Sequence, residues 1–129
     1  MQEFSTTITP RFYETDALGH INNASLAAWF EVARVNFLES LGESDPDSAT
    51  NWILASLQID FIAETFYGTD VIARITEAKA GNSSLTVLCE MTQGDKPTVR
   101  GKAVLVHFDQ SSKSSRRIPD SLRQRLDAS

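Results

Sequence analysis

A single long stretch of this chain has the apolar periodicity of an α-helix, and it limits the folds that the chain can adopt. Between about Ala24 and Leu41, apolar side chains recur at intervals of three and four positions, and Gly42 is a natural C-terminal stop. The recurring residues are Leu26, Phe30, Ala33, Phe37 and Leu41. A helix of this length with one apolar side needs a wide surface to cover that side.

Four segments after the helix supply such a surface, because each alternates apolar with polar residues. Alternation with a period of two is typical of half-buried antiparallel strands. The segments are Ile53–Phe61, Val71–Thr76, Leu85–Thr92 and Val99–Leu105, and hairpin-length connections separate them. Residues Thr6–Tyr13 predict one further strand, in which Pro10 favours an edge position, and Asp120–Leu126 predicts a short final helix. We therefore expect an α+β fold, with a long central helix wrapped by a five-stranded antiparallel sheet.

Length and charge narrow the class of protein further. The 129 residues predict a single domain, residues 1–129, which is large enough to bury a core without a metal or a disulfide. Twelve basic and seventeen acidic residues give a formal net charge of −5, which argues against nonspecific nucleic-acid binding. The architecture leaves sheet edges and helix ends poorly covered, so we expect a homodimer.

The single cysteine and the N-terminal residues bear on location. Cys89 has no second cysteine to pair with, which fits a reducing compartment, and we expect a cytoplasmic protein. The segment Met1–Ser5 lacks the basic and apolar regions of a signal peptide. The apolar stretches are far too short to span a membrane, so no membrane partner is expected.

The loop before the long helix concentrates chemically useful side chains. The run Arg11–Asn23 contains a carboxylate, a glycine, an imidazole and two asparagines just ahead of the helix. A helix N-terminus offers unpaired backbone N–H groups and a partial positive charge. A carboxylate close to such donors pairs a base or nucleophile with an oxyanion-binding site, which suits attack on a carbonyl carbon.

This loop, together with the order of the elements, resembles the hotdog-fold acyl-CoA thioesterases, in particular the 4-hydroxybenzoyl-CoA thioesterase-like group. The resemblance covers nearly the whole chain and is carried by Arg11–Asn23, Trp29–Arg34, Gly101–Asp109 and Ile118–Pro119. It implies hydrolysis of an acyl-CoA thioester to the free carboxylic acid and CoA. It also implies a homodimer or homotetramer with sites at subunit interfaces, and no metal or organic cofactor.

The resemblance also implies roles for individual loop residues. Asp16 matches the aspartate that acts as nucleophile or general base in this group, and the sequence leaves both roles open. A backbone N–H at the start of the long helix, from Asn23 or its neighbour, would polarise the thioester carbonyl. Gly19 and Asn22 are expected to contact the substrate, and Asn22 also suits the helix N-cap. The structural alternative for Asp16 is that its side chain only caps a turn.

His20 has two readings. An imidazole in a glycine-containing loop could carry a proton near neutral pH. It could equally order the loop through a ring N–H, and we favour this orienting role.

Two further groups of side chains could contribute to the site. Glu31 is a second carboxylate on the helix, but Arg34 lies three residues on, at the spacing of an ion pair, and we favour a structural pair. The aromatic residues at the predicted strand ends could line an acyl pocket, although such residues more often belong to the core. They are Trp52, Phe61, Phe66 and Tyr67.

The basic C-terminal segment could hold the phosphates of CoA. Arg116 and Arg117, with Lys113 nearby, are the expected phosphate-binding residues, because guanidinium groups bind phosphate well. A solvated tail is the structural alternative. Other candidates for the same role lie on or near the strands, namely Arg100, Lys102 and Lys79.

Two other functions compete with hydrolysis. A hotdog enoyl-thioester hydratase or dehydratase would use an Asp–His pair to handle one water, and Asp16 and His20 are both present. A noncatalytic acyl-thioester binding protein would keep the fold without the chemistry. No Gly-x-Ser-x-Gly segment is present, so the sequence excludes the nucleophile elbow of α/β-hydrolases.

Overall fold

One long helix packs against one antiparallel sheet in the computed structural model, which describes residues 3–41 and 52–128. The strands are β1 (Phe4–Ile8), β2 (Trp52–Phe61), β3 (Val71–Ala80), β4 (Ser84–Gln93), β5 (Lys96–Asp109) and β6 (Ser114–Ser115), and the helices are α1 (Asn23–Ser40) and α2 (Asp120–Ala128). The predicted long helix, the four later strands and the final helix are confirmed within a few residues. The stop predicted at Gly42 lies outside the described residues. Neither helix of the described chain is long and apolar enough to cross a bilayer.

The first two strands of the chain lie at the two edges of the sheet. Five antiparallel strands follow the order β1-β3-β4-β5-β2, and the two-residue β6 pairs with the end of β5. The predicted α+β class and five-stranded sheet are therefore confirmed, with β6 as an addition. Because β2 lies beyond β5, both β1 and β2 are outer strands.

The core lies between α1 and one face of the sheet. Phe30 is fully buried at its centre, and Gly101 of β5 lies directly beneath the ring. A Cβ atom at position 101 would be 2.6 Å from Phe30 Cε2, so only glycine leaves room for the aromatic ring. Burying each large apolar side chain contributes about 1.5–3 kcal/mol. The buried side chains of the sheet face are Val71, Ala73, Ile75, Leu85, Val87, Cys89, Met91, Val99, Ala103 and Leu105.

The first strand is shorter than predicted, because the chain leaves the sheet at Ile8 and forms a 3-10 turn at Phe12–Glu14. The carboxylate of Glu14 explains this turn. One oxygen accepts a hydrogen bond from the backbone N–H of Arg11 at 2.7 Å, and the other accepts from Trp29 Nε1 at 2.8 Å. Glu14 is buried, so a single side chain closes the turn and ties it to α1.

The predicted ion pair between Glu31 and Arg34 is wrong. Arg34 instead folds over the ring of Phe30, with its guanidinium carbon 4.5 Å from the ring centroid, and only 4% of the residue is exposed. Glu31 stays exposed, and no ion pair joins the two within the described part of the chain. Burial lowers the pKa of Arg34, and the negative charge of Glu31 opposes that shift.

Cys89 lies on the core face of β4, and burial raises the pKa of its thiol to about 12. The thiolate is the reactive form, so the folded protein should resist thiol reagents at pH 8. We expect a chromogenic disulfide reagent to label native protein at least about 100-fold more slowly than protein unfolded in guanidinium chloride. Rapid labelling of the native protein would contradict this placement of Cys89.

Candidate active site

Residues 15–21 form a tight hairpin ahead of α1. Thr15 and Ile21 form an antiparallel bridge, and the N–H of Asp16 donates to the carbonyl of His20 at 2.7 Å. The N–H of Gly19 donates back to the carbonyl of Asp16 at 3.1 Å. Gly19 has φ of 82°, a left-handed conformation that favours glycine and closes the turn.

The carboxylate of Asp16 has one oxygen held by its own hairpin. Oδ1 accepts hydrogen bonds from the backbone N–H groups of Leu18 at 2.9 Å and His20 at 3.1 Å. Within residues 3–41 and 52–128, no donor contacts Oδ2, and the residue is exposed. The turn-capping alternative is therefore realised by one oxygen, while the other oxygen stays available for chemistry.

Asn22 caps the N-terminus of α1, as predicted. Its side-chain oxygen accepts from the N–H groups of Ala24 at 2.8 Å and Ser25 at 3.2 Å. The N–H of Asn23, the first helical residue, has no acceptor among the described residues. This N–H lies at the positive end of an 18-residue helix, which favours a negatively charged or polarised oxygen there.

Asp16 and Asn23 line the same cavity. Its volume is about 310 Å³, and it lies between the start of α1 and the chain leaving β2. The lining residues are Asp16, His20, Ile21, Asn23, Leu26, Phe61, Ile62, Ala63, Glu64 and Thr65. Of the aromatic candidates, Phe61 therefore borders this cavity. A carboxylate residue and a helix-terminal N–H thus border one cavity, whose lining residues are about half polar and half apolar.

The imidazole of His20 is anchored to the segment after β2. Its Nε2 lies 3.3 Å from a carboxylate oxygen of Glu64, and its ring meets Phe66 edge-on at a centroid distance of 5.2 Å. A backbone hydrogen bond joins the same two segments, from the N–H of Ile21 to the carbonyl of Thr65 at 2.8 Å. These contacts fit the orienting role for His20.

Glu64 and Thr65 were missed by the sequence analysis. Thr65 is 2% exposed, and its hydroxyl is buried without a hydrogen-bond partner among the described residues. No local sequence pattern marks Glu64 as a site residue, because it meets His20 only when the segment after β2 folds back beside the hairpin.

The basic residues predicted to bind phosphate do not line this cavity. Arg116 Nε lies 3.4 Å from His107 Nδ1, near the end of β5, and Arg117 forms a 2.7 Å ion pair with Asp120. Arg100 pairs with Glu90 on the strands. The structure therefore brings together Asp16, Gly19, His20, Asn22 and Asn23, and it separates them from Arg116 and Arg117 within one chain. In the described residues, no three His, Cys, Asp or Glu side chains converge to hold a metal ion.

Comparisons with known proteins identify the family of the chain. A family model described as the thioesterase-like superfamily matches residues 10–126. The uncharacterized protein YsmA of Bacillus subtilis (strain 168) is 29% identical over 84% of this chain and 75% of its own length. The 1,4-dihydroxy-2-naphthoyl-CoA hydrolase of Nostoc punctiforme is 27% identical over 96% of this chain and 86% of its own.

A solved structure gives the same result. The structure of a predicted thioesterase from Bacillus stearothermophilus superposes with a TM-score of 0.90 at 31% identity, covering 98% of this chain and 96% of that one. The match of the family model spans most of the chain, and the superposition extends over both helices and the whole sheet. The chain belongs to the thioesterase-like superfamily and has its hotdog fold.

Proposed function

We propose that this protein hydrolyses an acyl-CoA thioester to the free carboxylic acid and CoA. The observation that carries the proposal is the cavity shared by Asp16 and Asn23, where a carboxylate oxygen and a helix-terminal N–H are both unpartnered among the described residues. The N–H of Asn23 donates a hydrogen bond to the carbonyl oxygen and stabilises the negative charge that develops on it. The membership in a thioesterase superfamily supports this assignment.

Asp16 acts in one of two ways. Its Oδ2 attacks the carbonyl carbon, the C–S bond breaks, CoA leaves as the thiol after taking a proton, and water then hydrolyses the mixed anhydride. Alternatively, Asp16 removes a proton from water, which attacks the same carbon and expels CoA. Both routes consume one water, and both need a carboxylate beside the thioester carbon.

The hydratase alternative has less support from the geometry. That reaction needs the imidazole and the carboxylate to share one water. The imidazole of His20 is turned to Glu64 and Phe66, and Asp16 contacts His20 through its backbone N–H. The contacts favour a histidine that orders the loop over one that pairs with Asp16.

A homodimer completes the proposal. β2 is an outer strand, and apolar side chains on both of its faces stay exposed, including Ile53, Leu54 and Leu57. A long apolar outer strand pairs readily with another strand, and a second copy offers an identical one. Antiparallel pairing of the two β2 strands would join the two sheets.

Dimerisation gives Arg116 and Arg117 a place in the site. Arg100 and His107 of β5 pair with Asp60 and Trp52 at opposite ends of β2, so about 24 Å of strand separates the two ends. Antiparallel pairing of β2 brings the distant end of one subunit beside the cavity of the other. Arg116 and Arg117 would then bind CoA phosphates for the partner's site. Arg117 would have to leave Asp120, and its contact with that carboxylate lowers the pKa of Asp120.

Thiol release tests the proposed reaction. Wild-type protein is incubated with short aliphatic, long aliphatic and aromatic acyl-CoA esters, and free CoA is followed with a chromogenic thiol reagent. 1,4-Dihydroxy-2-naphthoyl-CoA belongs in the panel because the Nostoc relative is named for that substrate. Hydration of a 2-enoyl-CoA is measured in parallel. Hydrolysis of at least one ester supports the proposal, and hydration without hydrolysis would replace it with the hydratase.

Glu64→Gln should have a modest effect, because it removes the charge that anchors His20 while keeping the side-chain shape. The side chains of His20 and Glu64 are 27% and 61% exposed, and such pairs contribute up to about 1 kcal/mol. We expect kcat to fall by no more than about 5-fold. Glu77→Gln on β3, also exposed, is the matched control. A loss as large as that of an Asp16 variant would show that Glu64 takes part in the chemistry itself.

A further inference from the structure

A buried arginine, Arg34, lies on α1 eleven residues after Asn23 and does not line the cavity of Asp16. Arg34 is 4% exposed, and its Nη1 has no hydrogen-bond partner among the described residues. A buried guanidinium donor without an acceptor costs more free energy than an ordinary lost hydrogen bond. The described residues therefore bury one guanidinium nitrogen of Arg34 without giving it an acceptor.

Arg34 borders a second cavity, on the side of α1 that faces β2. The cavity has a volume of about 210 Å³. Its remaining walls are mostly apolar, and its lining residues are Glu31, Arg34, Val35, Leu38, Trp52, Leu54 and Leu105. The one carboxylate among them is Glu31, which is exposed and does not pair with Arg34 of its own chain. Among the described residues, a donor without an acceptor and a carboxylate without a donor thus border one cavity.

The position of the two residues on α1 suits a two-fold interface. Antiparallel pairing of β2 with a second β2 places a two-fold axis near the middle of the strand, and the overlying helices then run antiparallel. Glu31 and Arg34 lie on either side of the middle of the helix Asn23–Ser40. A two-fold axis level with Val32 and Ala33, within one residue of the middle of the helix, would bring each glutamate to the level of the other subunit's arginine.

We infer that Arg34 donates to Glu31 of the partner subunit, and that the symmetric contact forms twice in the dimer. The two pairs close a ring of four charges between the helices, beside the joined β2 strands. This inference rests on the dimer of the proposed function, but it does not depend on thioester hydrolysis. It assigns α1 a role in partner recognition, because the exposed apolar strand alone would accept many apolar edges.

Reciprocal charge variants test the contact between chains. Glu31→Lys homodimers place Arg34 against a lysine twice, and Arg34→Glu homodimers place a glutamate against Glu31 twice. A mixture of the two variants restores an attractive pair at both positions. We expect each homodimer to have a dissociation constant at least about 30-fold above wild type by analytical ultracentrifugation, and the mixture to form heterodimers in native mass spectrometry.

The mixture separates a contact between chains from one within a chain. The repulsion inside each chain is the same in homodimers and heterodimers, so it cannot drive the exchange. If Arg34→Glu fails to fold, Glu31→Lys alone decides the question, since Glu31 is exposed. Its dissociation constant should rise, and Glu77→Lys, the same charge change on β3, should leave it unchanged. A monomeric wild type, or a Glu31→Lys dimer within twofold of wild-type affinity, would overturn the inference, while the thiol-release assay judges the reaction independently.

Discussion

Asp16→Asn should abolish most thiol release while leaving the loop folded. Asparagine keeps an oxygen that can accept the backbone N–H groups of Leu18 and His20, so the hairpin retains its cap. The variant loses the negative charge that, in the proposed reaction, attacks the carbonyl or activates water. We expect kcat to fall by about 10²–10⁴-fold with little change in KM, measured by thiol release on the best substrate of the panel.

Two companion variants separate the chemical role of Asp16 from its structural role. Asp16→Ala should lose the same activity and also about 0.5–2 kcal/mol of stability, because the two N–H groups lose their acceptor. Asp95→Asn, in the exposed turn between β4 and β5, makes the same chemical change elsewhere and should retain full activity. Activity of Asp16→Asn within a few fold of wild type would remove this residue from the mechanism.

Gly101→Ala should lower the free energy of unfolding strongly, although it adds only one methyl group. The new methyl group would lie 2.6 Å from Phe30 Cε2 and 2.8 Å from Cδ2, so the ring must move within a closely packed core. We expect the free energy of unfolding to fall by about 1–3 kcal/mol in urea melts. The melts require a fixed protein concentration, since dimerisation shifts apparent stability.

A double variant shows whether the clash with Phe30 is the cause. Phe30→Leu removes ring atoms next to position 101 and by itself leaves a small cavity. Combined with Gly101→Ala, it should cost less than the sum of the two single changes, because the methyl group occupies part of the vacated space. Strict additivity would locate the cost of Gly101→Ala elsewhere in the strand.

The periodic parts of the structure were predictable from the sequence. Apolar spacing around Phe30 and Phe37 identified α1, and alternation identified the strands because each has one buried face. The N-cap at Asn22 was predictable because it depends on local backbone geometry. The end of β1 was not predicted, since the carboxylate of Glu14 binds the backbone of Arg11 and redirects the chain.

Contacts between distant segments were beyond the sequence pattern. Glu64 meets His20 only because the exit of β2 lies beside the hairpin, and no local spacing encodes this. Helical spacing favoured a Glu31–Arg34 pair, but the stacking of Arg34 on Phe30 draws the guanidinium into the core. Helical spacing shows which side chains can pair within one helix, whereas tertiary packing decides which pair forms.

Two separate parts of the chain form the candidate site, and the hairpin of residues 15–21 is one of them. The direction of the Asp16 carboxylate is set by N–H groups two and four residues away, so the reactive group is positioned by its own segment. The opposite wall, from Phe61 to Thr65, belongs to the exit of β2. Glu64 and Thr65 of this wall hold the hairpin through His20 and Ile21, so they are less free to change than Phe61 and Ile62. Under the proposed function, changes at Phe61 and Ile62 would therefore alter which acyl group fits, while the hairpin keeps its carboxylate in place.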